Sequence, residues 1–188
     1  MSEPEKDLFK SRDDYYRSLG EAFDSFANAE RELVFMLGEL SSLKRDVANV
    51  LLSGLRAASA IDQTRRVYKV LNREVPAAVE SALEQLKVIS TDRNLIAHHG
   101  SIASAEHGML SSNFRIVLPN AEMKDISVSP SQLGAMSLDL SCITLVFVDE
   151  SRRGKSIGST DADSVVQSAV EFAKARNWHY KTIKIVHT

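Results

Sequence analysis

Four side chains capable of acid–base or anion-binding chemistry lie within seven residues: Arg93, Asn94, His98 and His99. The apolar pattern before them predicts that they occupy the last two turns of a helix, which Gly100 would close at little conformational cost. Histidine titrates near neutral pH and exchanges protons with hydroxyl groups, and arginine binds phosphate oxygens and stabilises developing negative charge. These residue types suit phosphodiester chemistry without a metal ion, because RNA carries its own nucleophile, the 2′-hydroxyl.

Helical spacing does not by itself place these groups on one ligand. Asn94 and His98 are four residues apart and share a face, whereas Arg93 and His98 differ by roughly 140° around the axis. A flexible arginine, a loosened last turn or a second copy of the helix would bring Arg93 and His98 together. Both residue types are also common near helix C-termini for electrostatic reasons, so a purely structural role is the competing interpretation.

Composition limits the classes of protein to consider. The chain has 188 residues and a net charge of -2, which fits one domain without a global basic field, so a nucleic acid would have to contact a local patch. No apolar run resembles a signal peptide or a membrane span of ~20 residues, and the single cysteine, Cys142, fits a reducing cytosol. We therefore expect a cytoplasmic protein that does not contact a membrane.

Other site chemistries lack the required spacing. His98 and His99 are adjacent and point about 100° apart on a helix, unlike the i, i+4 pairs that bind zinc. Gly154-Lys155-Ser156 would belong to a phosphate loop only with a glycine five positions earlier, where Asp149 stands. No nucleophile elbow is present. We therefore predict neither a metal ion nor another cofactor.

The segments before the motif are predicted to be helices. Ser11 and Asp14 resemble a capping box that begins a long first helix, whose apolar stripe continues to Leu40. Pro76 fits the first turn of the helix that ends in the motif. Two shorter apolar segments lie between these helices, over 46–55 and 61–71.

After Gly100 the pattern changes. Alternating apolar residues from 114 to 128, with a Pro-Asn turn, predict a small β-hairpin. Ser129, Pro130 and Gln132 then form the N-terminal signature of a further helix. The sequence thus predicts a mainly α domain over 11–150 with the hairpin inserted before the last bundle helix. Residues 151–188 are predicted to form a C-terminal extension, with a basic linker, a helix capped by Thr160 and a possible short strand at 181–185.

The stretch Arg93-Asn94-Leu95-Ile96-Ala97-His98 resembles the R-x4-6-H signature of the HEPN superfamily (higher eukaryotes and prokaryotes nucleotide-binding), including the polar residue directly after the arginine. Its predicted setting, late in a helical bundle and before a hairpin and another helix, is similar over about residues 13–150. The resemblance implies a HEPN-like bundle that forms a homodimer. Arg93 of one subunit would then approach His98 of the other across a composite cleft.

The resemblance also implies an activity. HEPN proteins are typically metal-independent endoribonucleases, often in toxin–antitoxin or phage-defence systems. Carried over to this chain, Arg93 would clamp the scissile phosphate of RNA, His98 would act as general base or acid, and Asn94 would position the substrate. Glu30 resembles an acidic residue that some members place near the motif, and His99, outside the motif, is a further candidate substrate contact or only a helix-end residue.

Some HEPN proteins do not cleave RNA. They bind nucleotides or protein partners, and the lack of a basic charge balance keeps this option open here. The alternative hypothesis is therefore a non-catalytic HEPN-like module that binds a nucleotide or a protein partner such as an antitoxin.

Overall fold

Helices account for most of the chain, as the apolar spacing predicts. The computed structural model describes residues 3–98, 100–104, 108–112, 124–153 and 163–187, with side-chain surroundings over 12–98, 128–153 and 164–183. These ranges contain six helices and four strands, which are α1 (Glu3–Leu40), α2 (Arg45–Leu52), α3 (Ala57–Val70), α4 (Ala77–His98), β1 (Gly100–Ser104), β2 (Gly108–Ser112), β3 (Lys124–Val128), α5 (Pro130–Arg153), α6 (Asp163–Lys174) and β4 (Lys184–His187). The predicted mainly α class is confirmed.

The longest helix, α1, begins earlier than predicted. Its backbone is helical from Glu3, so the capping box predicted at Ser11 and Asp14 is wrong. Pro4 is tolerated in a first turn, where no amide hydrogen bond is lost, and the acidic residues around it favour a helix start. The helix buries a stripe that packs mainly against α5 and α3. That stripe includes Tyr15, Ala22, Phe26, Ala29, Leu33 and Met36.

Helix α5 begins at the predicted cap. The Ser129 amide donates to Gln132 Oε1 at 2.8 Å and the Gln132 amide donates to Ser129 Oγ at 3.2 Å, which satisfies two amides at the helix start. Among the described helices α5 alone is long and apolar enough to cross a membrane by length and composition. In this fold its apolar side forms the centre of the core, with Leu133, Met136, Leu140, Ile143 and Phe147.

The four strands form one antiparallel sheet in the order β1-β2-β3-β4. Strand β3 overlaps the second half of the hairpin predicted over 114–128 and pairs with β2 and β4. Residues 113–123 lie outside the described residues, so the hairpin stays a prediction. Strands β1 and β2 were not predicted, because their short, glycine- and serine-containing sequences carry a weak strand signal. Strand β4 extends the sheet at its β3 edge.

The segment 178–183, here named the C-terminal strap, completes the core. Its Trp178, Tyr180 and Ile183 are buried in the same apolar cluster as α1, α4 and α5, and α6 packs on α4 and α5. Residues predicted as an extension are therefore part of the packing that holds the motif helix in place.

Candidate functional site

The last two turns of α4 present adjacent residues to opposite environments. The backbone is helical through His98. Asp92 is buried, Arg93 is half-buried, and Asn94 and His98 are exposed. His99, a candidate substrate contact, lies outside the described residues. The candidate site is therefore the solvent-facing end of α4, formed by Arg93, Asn94 and His98.

Arg93 lies against two aromatic rings of α1. Its guanidinium carbon is 4.8 Å from the centre of the Phe26 ring and 5.3 Å from that of Phe23, within the range of a cation–π interaction. Phe26 is almost fully buried and Phe23 partly so. The core of the bundle thus supplies the surface on which this cation rests.

The polar contacts of Arg93 are few. Its Nη1 donates to Asn94 Oδ1 at 2.9 Å, while Nε is buried and has no hydrogen-bond partner among the described residues. No carboxylate in the described part of the chain forms an ion pair with Arg93. No described carboxylate therefore competes with an external anion, which can approach the guanidinium at its terminal edge, Nη1 and Nη2.

His98 is separate from Arg93 within one chain. It is exposed at the end of α4, and no hydrogen bond joins it to Arg93 in the described residues. Because the last turn remains helical, a loosened helix end does not bring the two groups together. Within one chain the Arg93 guanidinium and the His98 imidazole therefore lie on different sides of the same helix end.

Glu30 has a structural partner. Its Oε1 accepts the Ala57 amide at 2.6 Å, which satisfies one of the free amides at the start of α3. It also lines a cleft of about 710 Å³ between α1 and α2, and Arg93 does not line that cleft. Among the described residues nothing joins Glu30 to the motif, so the structure does not bring these candidates together.

Two buried aspartates were missed by sequence reasoning. Asp92, on α4, accepts from the Tyr180 hydroxyl at 2.9 Å, from Thr182 Oγ1 at 3.0 Å and from the Ile183 amide at 3.0 Å. Asp139, on α5, accepts from the amides of His179 at 3.0 Å and Tyr180 at 2.8 Å. These two carboxylates fasten the C-terminal strap between α4 and α5.

The signal for both aspartates was present in the sequence. Asp92 lies between Ile89 and Ile96 at helical spacing, and Asp139 lies three residues after Met136 and four before Ile143. A carboxylate inside an apolar stripe must have donors, because burying an unpaired charge is costly. The identity of those donors could not be read locally, since they lie in a distant segment.

Burial raises the pKa of three side chains: Tyr180, Tyr68 and Cys142. Burial, and then the neighbouring Asp92 carboxylate, raise the pKa of Tyr180 well above its ordinary value. Burial and Glu150 do the same to the pKa of Tyr68, whose hydroxyl donates to Glu150 at 2.7 Å. Burial also raises the pKa of the Cys142 thiol, which disfavours the thiolate and any nucleophilic role.

Neither a metal site among the described residues nor comparison with known proteins assigns a function to the candidate site. Within the described residues no group of three His, Cys, Asp or Glu side chains has the arrangement of a metal site. The chain matches no protein-family model, and neither a curated protein sequence nor a solved structure is significantly similar to it. Its functional interpretation therefore rests on the residues and their geometry.

Proposed function

We propose that this protein is a metal-independent endoribonuclease of HEPN type. The observation that carries the proposal is the state of Arg93: a cation held on two rings, unpaired with any described carboxylate, five residues before an exposed histidine. A buried polar side-chain atom normally has a hydrogen-bond partner, and among the described residues the buried Nε of Arg93 has none. A guanidinium whose open edge has only one neutral amide partner is suited to a phosphate.

The proposed chemistry uses groups of the chain and of RNA only. His98 accepts the proton of the 2′-hydroxyl, whose oxygen attacks the adjacent phosphorus while the bond to the 5′-oxygen breaks. Arg93 stabilises the charge on the phosphoryl oxygens, and Asn94 contacts the substrate. The leaving 5′-oxygen takes a proton from a water molecule, and protonated His98 returns its proton to the resulting hydroxide. The products are a 2′,3′-cyclic phosphate and a 5′-hydroxyl.

We also propose that the site is completed by dimerisation. Within one chain Arg93 and His98 diverge, and the helical backbone to His98 leaves little freedom to change this. Arg93 of one subunit and His98 of the partner subunit would share a phosphate if two α4 ends meet about a two-fold axis. The bundle with a hairpin before its last helix, a cytoplasmic location and a role in a toxin–antitoxin or phage-defence system belong to the same proposal.

The test is cleavage of end-labelled RNA by purified protein in EDTA. We expect the wild type to cut and to leave 2′,3′-cyclic phosphate ends, and both Arg93→Ala and His98→Ala to lose about 10²-fold or more in rate. Mixing the two inactive variants should restore part of the activity, because some heterodimers contain one intact composite site. An inert wild type, or variants that cut equally well, would refute the ribonuclease proposal.

One observation favours a second candidate, a non-catalytic protein-binding module. Helix α2 has no buried residue, and one side of it exposes Val47, Val50 and Leu51, at 43%, 76% and 65%. Adjacent apolar side chains of this kind are typical of interaction surfaces. If the wild type is inert on RNA, a partner retained by the wild type and lost on Val50→Asp with Leu51→Asp would support this function.

A further inference from the structure

The aromatic rings under Arg93 belong to the hydrophobic core of the fold or pack directly against it. Phe26 is 2% exposed and lies in the buried stripe of α1 between Ala22 and Ala29. Phe23 lies one turn before it and packs on the same cluster. A ring fixed in a close-packed core cannot move away from its neighbours without creating a cavity. The support of the guanidinium is therefore fixed independently of any ligand.

This support determines which edge of Arg93 meets a ligand. The guanidinium lies against both rings, and Nε is sealed from solvent. Nη1 has one hydrogen directed to Asn94, and its second hydrogen together with Nη2 remains for an anion. Two parallel hydrogen bonds from one edge fit two oxygens of a single phosphodiester.

We propose that Phe23 and Phe26 are the positioning residues of Arg93, which hold its guanidinium so that the Nη1–Nη2 edge binds one phosphate of the RNA. This assignment rests on the proposed function for the identity of the anion. It explains why Nε is left without a partner: the rings hold this atom inside the protein while the terminal edge remains free. Asn94 completes the arrangement by fixing the rotation of the guanidinium about its long axis.

The position of Arg93 has a direct readout in the NMR signal of its Nε–Hε group. Protons held near the face of an aromatic ring are shifted upfield by the ring current, and a buried Nε–Hε exchanges slowly with water. Arg93→Lys removes and thereby assigns the signal. We expect an upfield, slowly exchanging signal in the wild type that moves toward the ordinary arginine position in Phe23→Leu, where only the Phe26 ring remains, and stays in place in Phe23→Tyr, which keeps both rings.

Function is measured on the same variants. Phe23→Leu should lower kcat for RNA in EDTA about 3- to 30-fold, the range expected for loss of a cation–π contact, while Phe23→Tyr should retain wild-type activity. Phe26→Leu should have the larger effect. Phe147→Leu is the matched control for Phe26, because Phe147 is equally buried but lies on α5, and it should move neither kcat nor the Arg93 signal.

The measurements distinguish failure of the ribonuclease proposal from failure of the positioning role of Phe23 and Phe26. If the wild type does not cut RNA, the ribonuclease proposal fails. The measurement that then replaces kcat is binding of a labelled single-stranded DNA oligonucleotide, which has phosphodiesters but no 2′-hydroxyl. Weaker binding by Phe23→Leu than by Phe23→Tyr would then still uphold the positioning role. A wild-type Arg93 signal at the ordinary position, or equal kcat and equal binding for Phe23→Leu and Phe23→Tyr, overturns it. Should Phe26→Leu fail to fold, the Phe23 pair decides alone.

Discussion

Asp92 and Arg93 are neighbours in sequence, yet their charged groups have very different numbers of hydrogen-bond partners. Asp92 is 3% exposed and its carboxylate receives hydrogen bonds from three residues of the C-terminal strap. Among the described residues Arg93 has one hydrogen bond, to an exposed amide, and a buried Nε without a partner. A carboxylate surrounded by donors stabilises the fold and has no capacity left for a ligand. A guanidinium without a described counter-ion is available for one, so the partners of the two charges distinguish them more clearly than burial does.

Among the proposed substitutions, replacement of the buried Asp139 should cause the largest loss of stability. Asp139→Ala leaves the amides of His179 and Tyr180 without their acceptor and removes one of the two acceptors of Gln85 Nε2. We expect a loss of about 3–5 kcal/mol in the free energy of unfolding, because two backbone amides inside the protein lose their charged acceptor at once. Urea denaturation followed by the fluorescence of Trp178, the single tryptophan, measures it.

Asp149→Ala is the control for that prediction, since Asp149 is on the same helix but pairs with the half-exposed Arg153. It should cost less than about 1 kcal/mol. Equal effects of the two substitutions would contradict the assignment of Asp139 as the anchor of the strap.

Substituting Asp92 and Arg93 one at a time tests whether the carboxylate contributes more to stability than the guanidinium does. Asp92→Ala should reduce the free energy of unfolding by about 2–4 kcal/mol, because Tyr180, Thr182 and Ile183 lose a shared acceptor inside the protein. Arg93→Ala should change it by less than about 1 kcal/mol, since alanine favours the helix and the unpaired Nε is removed. Thermal and urea unfolding of both variants should show this contrast, and a larger loss for Arg93→Ala would reverse the proposed roles.

The tyrosine that contacts Asp92 should make stability sensitive to alkaline pH. Because the pKa of Tyr180 is raised in the folded state, the unfolded chain releases this proton first, from about pH 10 upward. Its contribution is complete below that pH and falls by about 1.4 kcal/mol per pH unit above it, until the folded pKa is reached. Tyr180→Phe should lose less stability than the wild type between pH 9.5 and about pH 11 in urea titrations.

Tyr16→Phe is the control for the pH experiment, as Tyr16 is 48% exposed. Its stability should follow the wild-type pH dependence. If Tyr180→Phe also follows it, the hydroxyl of Tyr180 does not titrate as its contact with Asp92 requires.

The smallest predicted effect concerns Glu30. Glu30→Ala removes the acceptor of the Ala57 amide and should cost about 1 kcal/mol, as loss of a helix N-cap does. Cleavage of RNA should stay within about twofold of wild type if the capping role is its main one. Glu32→Ala, which removes an exposed contact with Arg31, should be nearly neutral. A tenfold loss of cleavage in Glu30→Ala with unchanged stability would instead make Glu30 a substrate contact.

Sequence reasoning succeeded where the physical cause is local. The cap of α5 depends on Ser129 and Gln132, three residues apart, and the apolar stripe of α1 depends on spacings of three and four. It failed at the start of α1, where a plausible cap at Ser11 was overruled by helix formers on its N-terminal side. It also missed β1 and β2, whose pairing is decided by neighbouring strands.

At the candidate site, too, the sequence predicted the local features but not the contacts made by distant residues. The spacing from Arg93 to His98 was visible in the sequence, as was the angle between them. The rings of Phe23 and Phe26 lie about 70 residues away, at positions that the sequence predicts only as core. The donors to Asp92 are up to 91 residues away. Local pattern identified the reactive residues, and tertiary packing decided their surroundings.

The C-terminal strap also affects the order in which this protein can fold during synthesis. At ~5–20 residues per second, roughly 5 to 18 s pass between translation of Asp92 and of Ile183, its farthest donor. During that interval the Asp92 carboxylate lacks the donors of the strap. We therefore expect the surface of α4 and α5 that the strap covers to stay exposed until the strap has been synthesised.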